Sequence, residues 1–183
     1  MRALEPSCGP VRLVAVDGHA GSGKSTLARH LSAATGGAPV LHLDDLATHD
    51  EMFTWTGRFR DQVLTPLSRG RTARYATYDW VRRSFSRRKD LPTAPIVLVE
   101  GVGSGRRALR PHLACLLWLE VPEDLAWERG RRRDGPGLTG FWDAWTDAER
   151  NHFATDPSRP HADFLVRQGN EGYVILPGPA ATA

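Results

Sequence analysis

Gly18, Gly23, Lys24 and Ser25 follow the spacing G-x-x-x-x-G-K-S/T within the stretch GHAGSGKST. That spacing suits a grip on a phosphate chain. Glycines let the backbone wrap close to the phosphates, and its N–H groups point inward with the positive end of the following helix behind them. Lys24 is expected to reach the β- and γ-phosphates, and Ser25 to ligate Mg²⁺. Gly21, Ser22 and Thr26 complete the loop. A glycine-rich turn could match by chance, but a strand before and a helix after are what the motif requires, and both are legible here. Only two of the 24 basic residues are lysines. A chain that writes arginine nearly everywhere keeps lysine where a compact, flexible ammonium is needed.

Carboxylates form the second group. Asp44 and Asp45 follow the apolar run PVLHL, and Glu100 ends the run PIVLVE. A carboxylate beside a hydroxyl acceptor can orient and deprotonate it, although such residues also cap helices. Tyr78 and Trp80 can stack on a planar ring or simply pack a loop. Four arginines lie between Arg129 and Arg133, and on a helix Arg129 and Arg133 share a face. They read as a solvated helix end, a nucleic-acid patch or a lid over phosphates.

The elements that must hold these residues follow from periodicity. VRLVAVDG, PVLHLDD, PIVLVEG and ACLLWLEV read as short buried strands, with ADFLVRQG and YVILPG as late strands. STLARHLSAA, RFRDQVLTPLSRG, PEDLAWERGRRR and FWDAWTDAERNHF read as helices. In the last of these Trp142, Trp145, Glu149 and Phe153 recur at helical spacing, as core residues do. His152 and His161 have no metal-ligand partners at suitable spacing and receive no role. Alternating strands and helices imply an α/β domain with a parallel sheet of about five strands covered on both faces. Ligands then sit at the carboxyl ends of the strands, where the loop, Asp44, Asp45 and Glu100 all fall.

The combination of GHAGSGKST, LDDL, YDW, VLVEG and the arginine block resembles the uridine/cytidine kinases, within the nucleoside and nucleotide kinases of the P-loop class. The resemblance spans about residues 11–166 and implies the three-layer P-loop NTPase fold with an arginine-rich lid. It implies ATP, or GTP, with Mg²⁺ as cofactors. Asp44 matches the family's general base, with Leu46 and Ala47 where the family has aromatics. Glu100 matches a carboxylate that helps hold Mg²⁺. YATYDWVRR matches the segment over the nucleoside base, placing Tyr78 and Trp80 there, with Arg83 where the family has a base-contacting histidine; Asp45 is a further candidate for the acceptor. Arg129 and Arg133 match the lid that closes over the transferring phosphates. The family's Asp-His-Pro ribose clamp has no counterpart. HDEMFTWTGRF occupies that region and offers Asp50, Trp55 and Arg58.

Other classes fit less well. Switch GTPases need N-K-x-D, and the only asparagines are Asn151 and Asn170, in other contexts. Transporter-type ATPases carry a Ser-Gly-Gly signature that is missing here. A net charge of +3 gives little support to a polynucleotide kinase. At 183 residues the chain is expected to form one domain, with a flexible start (1–10) and tail (177–183). No apolar run approaches a membrane span and the start has no secretory signal, so a cytoplasmic location is expected. Cys8 falls in the flexible start, while Cys115 reads as a small core residue. The expected activity is transfer of a γ-phosphoryl group to a small hydroxyl acceptor, a nucleoside first. A nucleotide, sugar, antibiotic or other metabolite is the alternative, and a regulatory nucleotide-binding module without turnover is the alternative from another class. The oligomeric state is not legible.

Overall fold

The computed structural model describes residues 4–169 and 172–182. Five parallel strands form the centre of a six-stranded sheet: β1 (Arg12–Asp17), β2 (Val40–His42), β5 (Ile96–Glu100), β6 (Cys115–Leu119) and β7 (Phe164–Gly169). A sixth strand, β8 (Gly172–Pro177), runs antiparallel at one edge, giving the order β2-β5-β1-β6-β7-β8. The remaining strands, β3 (Ala73–Asp79) and β4 (Ser84–Leu91), form a separate antiparallel hairpin. Of the six expected runs all are strands; the hairpin is an addition that the sequence reading passed over.

Alternation along the buried strands builds three layers, since successive side chains leave opposite faces. Leu13, Leu41, Val97 and Val99 share a core with Phe59, Val63 and Leu67. Those last three lie on the run α2 (Thr56–Phe59), a π-helical turn (Arg60–Leu64) and α3 (Thr65–Ser68). Val14, Val16, Leu98 and Leu117 pack instead with Leu27 of α1 (Lys24–Ala34). Two long helices, α4 (Glu123–Asp134) and α5 (Thr139–Thr155), follow β6.

Described residues within both end segments are bonded to the rest of the chain. Cys8 is buried, bridges to Val11, and its thiol donates to the Leu64 carbonyl at 3.6 Å. It therefore packs in the core, as Cys115 does on β6. At the other end Gly178 donates to the Asp163 carbonyl and Ala180 to that of Ala162. Residues 1–3 and 183, and Asn170, lie outside the described residues.

Candidate active site

β1 ends at Asp17, whose fully buried carboxylate accepts the amides of Gly18, Gly103 and Gly105 at 2.8, 2.9 and 2.8 Å. One side chain thus clamps the start of the glycine loop to the loop that follows β5. Burial pushes this carboxyl's pKa up, with the amides and Lys24 opposing. The sequence reading missed Asp17; an acidic residue directly before the loop, at the end of an apolar strand, was its signal.

The loop then enters α1 through Gly23, which adopts a left-handed conformation (φ 100°) and brings no side chain to the helix's orphan amides. Lys24 is buried and its Nζ donates to the His19 carbonyl at 2.8 Å. Gly21 is required by contact: a Cβ there would stand 2.0 Å from the Ala126 carbonyl oxygen, so only glycine lets α4 lie against the loop.

A cleft of about 820 Å³ opens over these residues. Its phosphate side is lined by Gly21, Gly23, Lys24, Ser25, Thr26, Arg129 and Arg133, with Asp44 and Glu100 beside them. Gly18 and Ser22 belong to the loop but do not line the cleft; Ser22 is buried. Ser25 Oγ donates to Glu100 Oε1 at 3.1 Å, and His42 Nδ1 lies 2.5 Å from the same oxygen. That bond to Glu100 raises the His42 pKa. Asp44 is exposed and its carboxyl opens to the cleft, with protein on several sides. Loss of bulk water pushes its pKa above the ordinary carboxylate value, and the Glu100 charge adds to the push, while Lys24 and His42 oppose it.

Mg²⁺ on a triphosphate needs one or two protein oxygens, the rest coming from phosphate and water. The hard oxygen donors of Ser25 and Glu100, 3.1 Å apart, fit that demand. Among the described residues no cluster of three or more His, Cys, Asp or Glu could hold a metal unaided.

The far side of the cleft is aromatic. Trp80, His49, Phe141, Trp142 and Trp145 line it, with Val81 and Leu138 exposed at its lips. Each indole N–H is already spent inside the protein: Trp80 on the Asp44 carbonyl (3.0 Å), Trp142 on Asp134 (3.2 Å) and Trp145 on Glu149 (2.9 Å). Trp142 and Trp145, expected only as core residues, are buried and also floor this wall. Glu149, likewise read as core, faces the phosphate loop, where His19 Nδ1 lies 2.8 Å away.

Several expected acceptor residues lie elsewhere. Asp45 does not line the cleft; it fastens the β3–β4 hairpin by accepting from Lys89 Nζ at 2.9 Å and the Tyr75 hydroxyl at 3.1 Å. Tyr78 stands behind the wall, its hydroxyl 3.0 Å from His49 Nδ1. Arg83 is an exposed turn residue with φ 53°. Asp50, Trp55 and Arg58 do not line the cleft either, and Trp55 lies beneath the Arg106 guanidinium at 4.3 Å. Within the basic block, Arg131 pairs with Asp143 at 2.8 Å and Arg132 with Glu128 at 3.6 Å. Arg129 and Arg133 face the cleft, Arg133 while donating to both oxygens of the neighbouring Asp134 at 2.6 and 2.9 Å.

No protein-family model matches the chain, and no curated protein sequence does. Solved structures do match. A possible uridine kinase from Bacillus stearothermophilus superposes with a TM-score of 0.61 at 21% identity, over 89% of this chain and 91% of that one. The chain has the fold of the P-loop kinases. A candidate fructose transport system kinase from Silicibacter sp. TM1040 gives 0.56 at 23% identity, over 85% and 84% of the two chains. D-glycerate 3-kinase from Cryptococcus neoformans gives 0.50 at 14%, over 91% and 90%. At these identities the likeness is one of fold. No described helix is long and apolar enough to cross a membrane.

Proposed function

We propose that the protein is a small-molecule kinase that transfers the γ-phosphoryl group of ATP to a hydroxyl of its acceptor, a nucleoside before other candidates. The observation that carries this is the Asp44 carboxyl open to the same cleft as Lys24, Ser25 and Glu100. A carboxylate of raised pKa facing the phosphate loop suits a base that takes the proton of an acceptor hydroxyl.

The chemistry runs as a displacement at phosphorus. The acceptor oxygen bonds to the γ-phosphorus as the bond to the β–γ bridging oxygen breaks, and that electron pair leaves with ADP. The hydroxyl proton passes to an Asp44 carboxylate oxygen. Lys24 and the loop amides hold the triphosphate, while Arg129 and Arg133 offset charge on the transferring oxygens. Bound Mg²⁺, held by Ser25 and Glu100, supplies further charge neutralisation. The aromatic wall supports an acceptor with a planar ring, because ring faces stack without hydrogen bonds. A second reading, a ring-bearing alcohol other than a nucleoside, is favoured by the absence of Asp50, Trp55 and Arg58 from the cleft.

ADP release from ATP or GTP is measured across nucleosides, nucleoside monophosphates and small alcohols. Stimulation by a nucleoside, abolished by both Lys24→Ala and Asp44→Asn, is expected. Stimulation only by non-nucleoside alcohols transfers the assignment to the second reading. Stimulation by none overturns the kinase.

A further inference from the structure

Glu149 lies wholly inside the protein, on a helix outside the glycine loop. A buried carboxylate is costly unless it is hydrogen-bonded. This one collects donors from three elements. From the phosphate loop come His19 Nδ1 at 2.8 Å and the Ala20 amide at 3.3 and 3.2 Å from its two oxygens. From α4, the helix of the arginine block, comes Trp127 Nε1 at 3.0 Å; from α5 itself comes Trp145 Nε1 at 2.9 Å. Burial raises the carboxyl's pKa, but the His19 bond and the Lys24 charge outweigh it and hold it below the ordinary value.

Its partners bear directly on triphosphate binding. His19, held by its ring, supplies the carbonyl that receives Lys24 Nζ. Ala20, held by its amide, fixes where the loop turns before Gly21 passes under α4. Trp145 and Trp127 link the same carboxylate to the aromatic wall and to the arginine helix. We propose that Glu149 is a positioning residue for nucleotide binding, setting the phosphate loop and the Lys24 ammonium in register with α4 and α5. The inference rests on the assignment of the loop to a nucleoside triphosphate, not on the identity of the acceptor.

Sign separates this role from simple charge or simple stability. A full negative charge behind an anion site repels the anion, so neutralising it as Glu149→Gln tightens ATP binding if charge is all that matters. Loss of position weakens it. The amide also turns a donor toward the protein's own donors, unseating at least one of them. The measurement is equilibrium binding of a non-hydrolysable ATP analogue with Mg²⁺ to the full chain, without acceptor, alongside thermal unfolding. Trp127 and Trp145 provide an intrinsic fluorescence signal.

The expected result is a Kd at least tenfold higher for Glu149→Gln on molecules that remain folded, with the analogue-induced tryptophan signal reduced. An unchanged or lower Kd, with only the melting temperature affected, overturns the proposal. If Glu149→Gln loses its cooperative transition, Trp127→Phe and Trp145→Phe decide, since each removes one donor and keeps a ring. A severalfold rise in Kd for both supports it, and wild-type Kd for both overturns it. Wild-type protein that binds the analogue but transfers to no acceptor leaves this test intact while ending the kinase reading.

Discussion

Asp44 and Glu100 are two carboxylates with different surroundings and different work. Glu100 is buried and shared by Ser25 and His42, whereas Asp44 faces the open cleft with its pKa pushed up by enclosure. A base must be deprotonated to accept the hydroxyl proton, so kcat/KM is expected to rise with pH through a pKa above the usual carboxylate value. The acid limb of the rate profile checks this, and a limb at or below the ordinary value of 3.8 contradicts it. Asp44→Asn is expected to lower transfer by roughly 10²-fold or more while ATP still binds. A variant retaining a tenth of the wild-type rate removes Asp44 from the role of base. Glu100→Gln keeps the shape and loses the charge, so the Mg²⁺ concentration giving half-maximal rate is expected to rise roughly tenfold or more, as for other weakened ligand sets. Titration of activity with Mg²⁺ measures it.

At the scale of elements, the site depends on how closely α4 approaches its neighbours. A Cβ on Gly130 would stand 2.2 Å from the Trp142 ring, so α4 comes this close to α5 only because that position has no side chain. Gly130→Ala is expected to cost about 1–3 kcal/mol by overpacking and lower Tm by several degrees. Because Arg129 and Trp142 both line the cleft, acceptor KM should rise with it; calorimetry and steady-state kinetics read the two effects. Such contacts explain what was legible beforehand. Strands β1, β5 and β6 announced themselves because they are buried along nearly their whole length and so read as unbroken apolar runs. The hairpin did not: Ser84 to Asp90 of β4 are exposed, leaving no apolar run to mark them. The glycine loop was legible because its grip is local in sequence. Of the aromatic wall only Trp80 was legible, since Trp142 and Trp145 look like any buried helical stripe until the fold shows which edge borders the cleft. Asp45 misled for the opposite reason. It sits beside Asp44 in sequence, but the 3₁₀ turn at Leu43–Asp45 sends it toward the hairpin and Lys89.

For the molecule as a whole, His152 contributes to stability against acid. Its ring is stacked on Phe53 with centroids 4.9 Å apart, and its Nε2 is buried without a hydrogen-bond partner. Burial, reinforced by the Arg106 charge, lowers its pKa from 6.5 to about 4. The unfolded chain therefore takes up a proton near pH 6.5 that the folded chain refuses until about pH 4. Stability from this group is complete above the unfolded pKa and is lost as pH falls through that window. The full loss is about 3 kcal/mol, at about 1.4 kcal/mol for each pKa unit. His42 acts in the opposite sense. Its pKa is raised by Glu100, so its contribution is present at low pH and fades as pH rises through its folded value. Wild-type stability alone mixes the two, and the difference from a variant isolates one. Urea unfolding of wild type and His152→Gln at intervals from about pH 7.5 to 4.5 is the measurement. Wild type is expected to lose about 2.5 kcal/mol more than the variant over that range, which stops short of the folded pKa. Parallel losses would mean that His152 protonates in the folded state near its ordinary pKa.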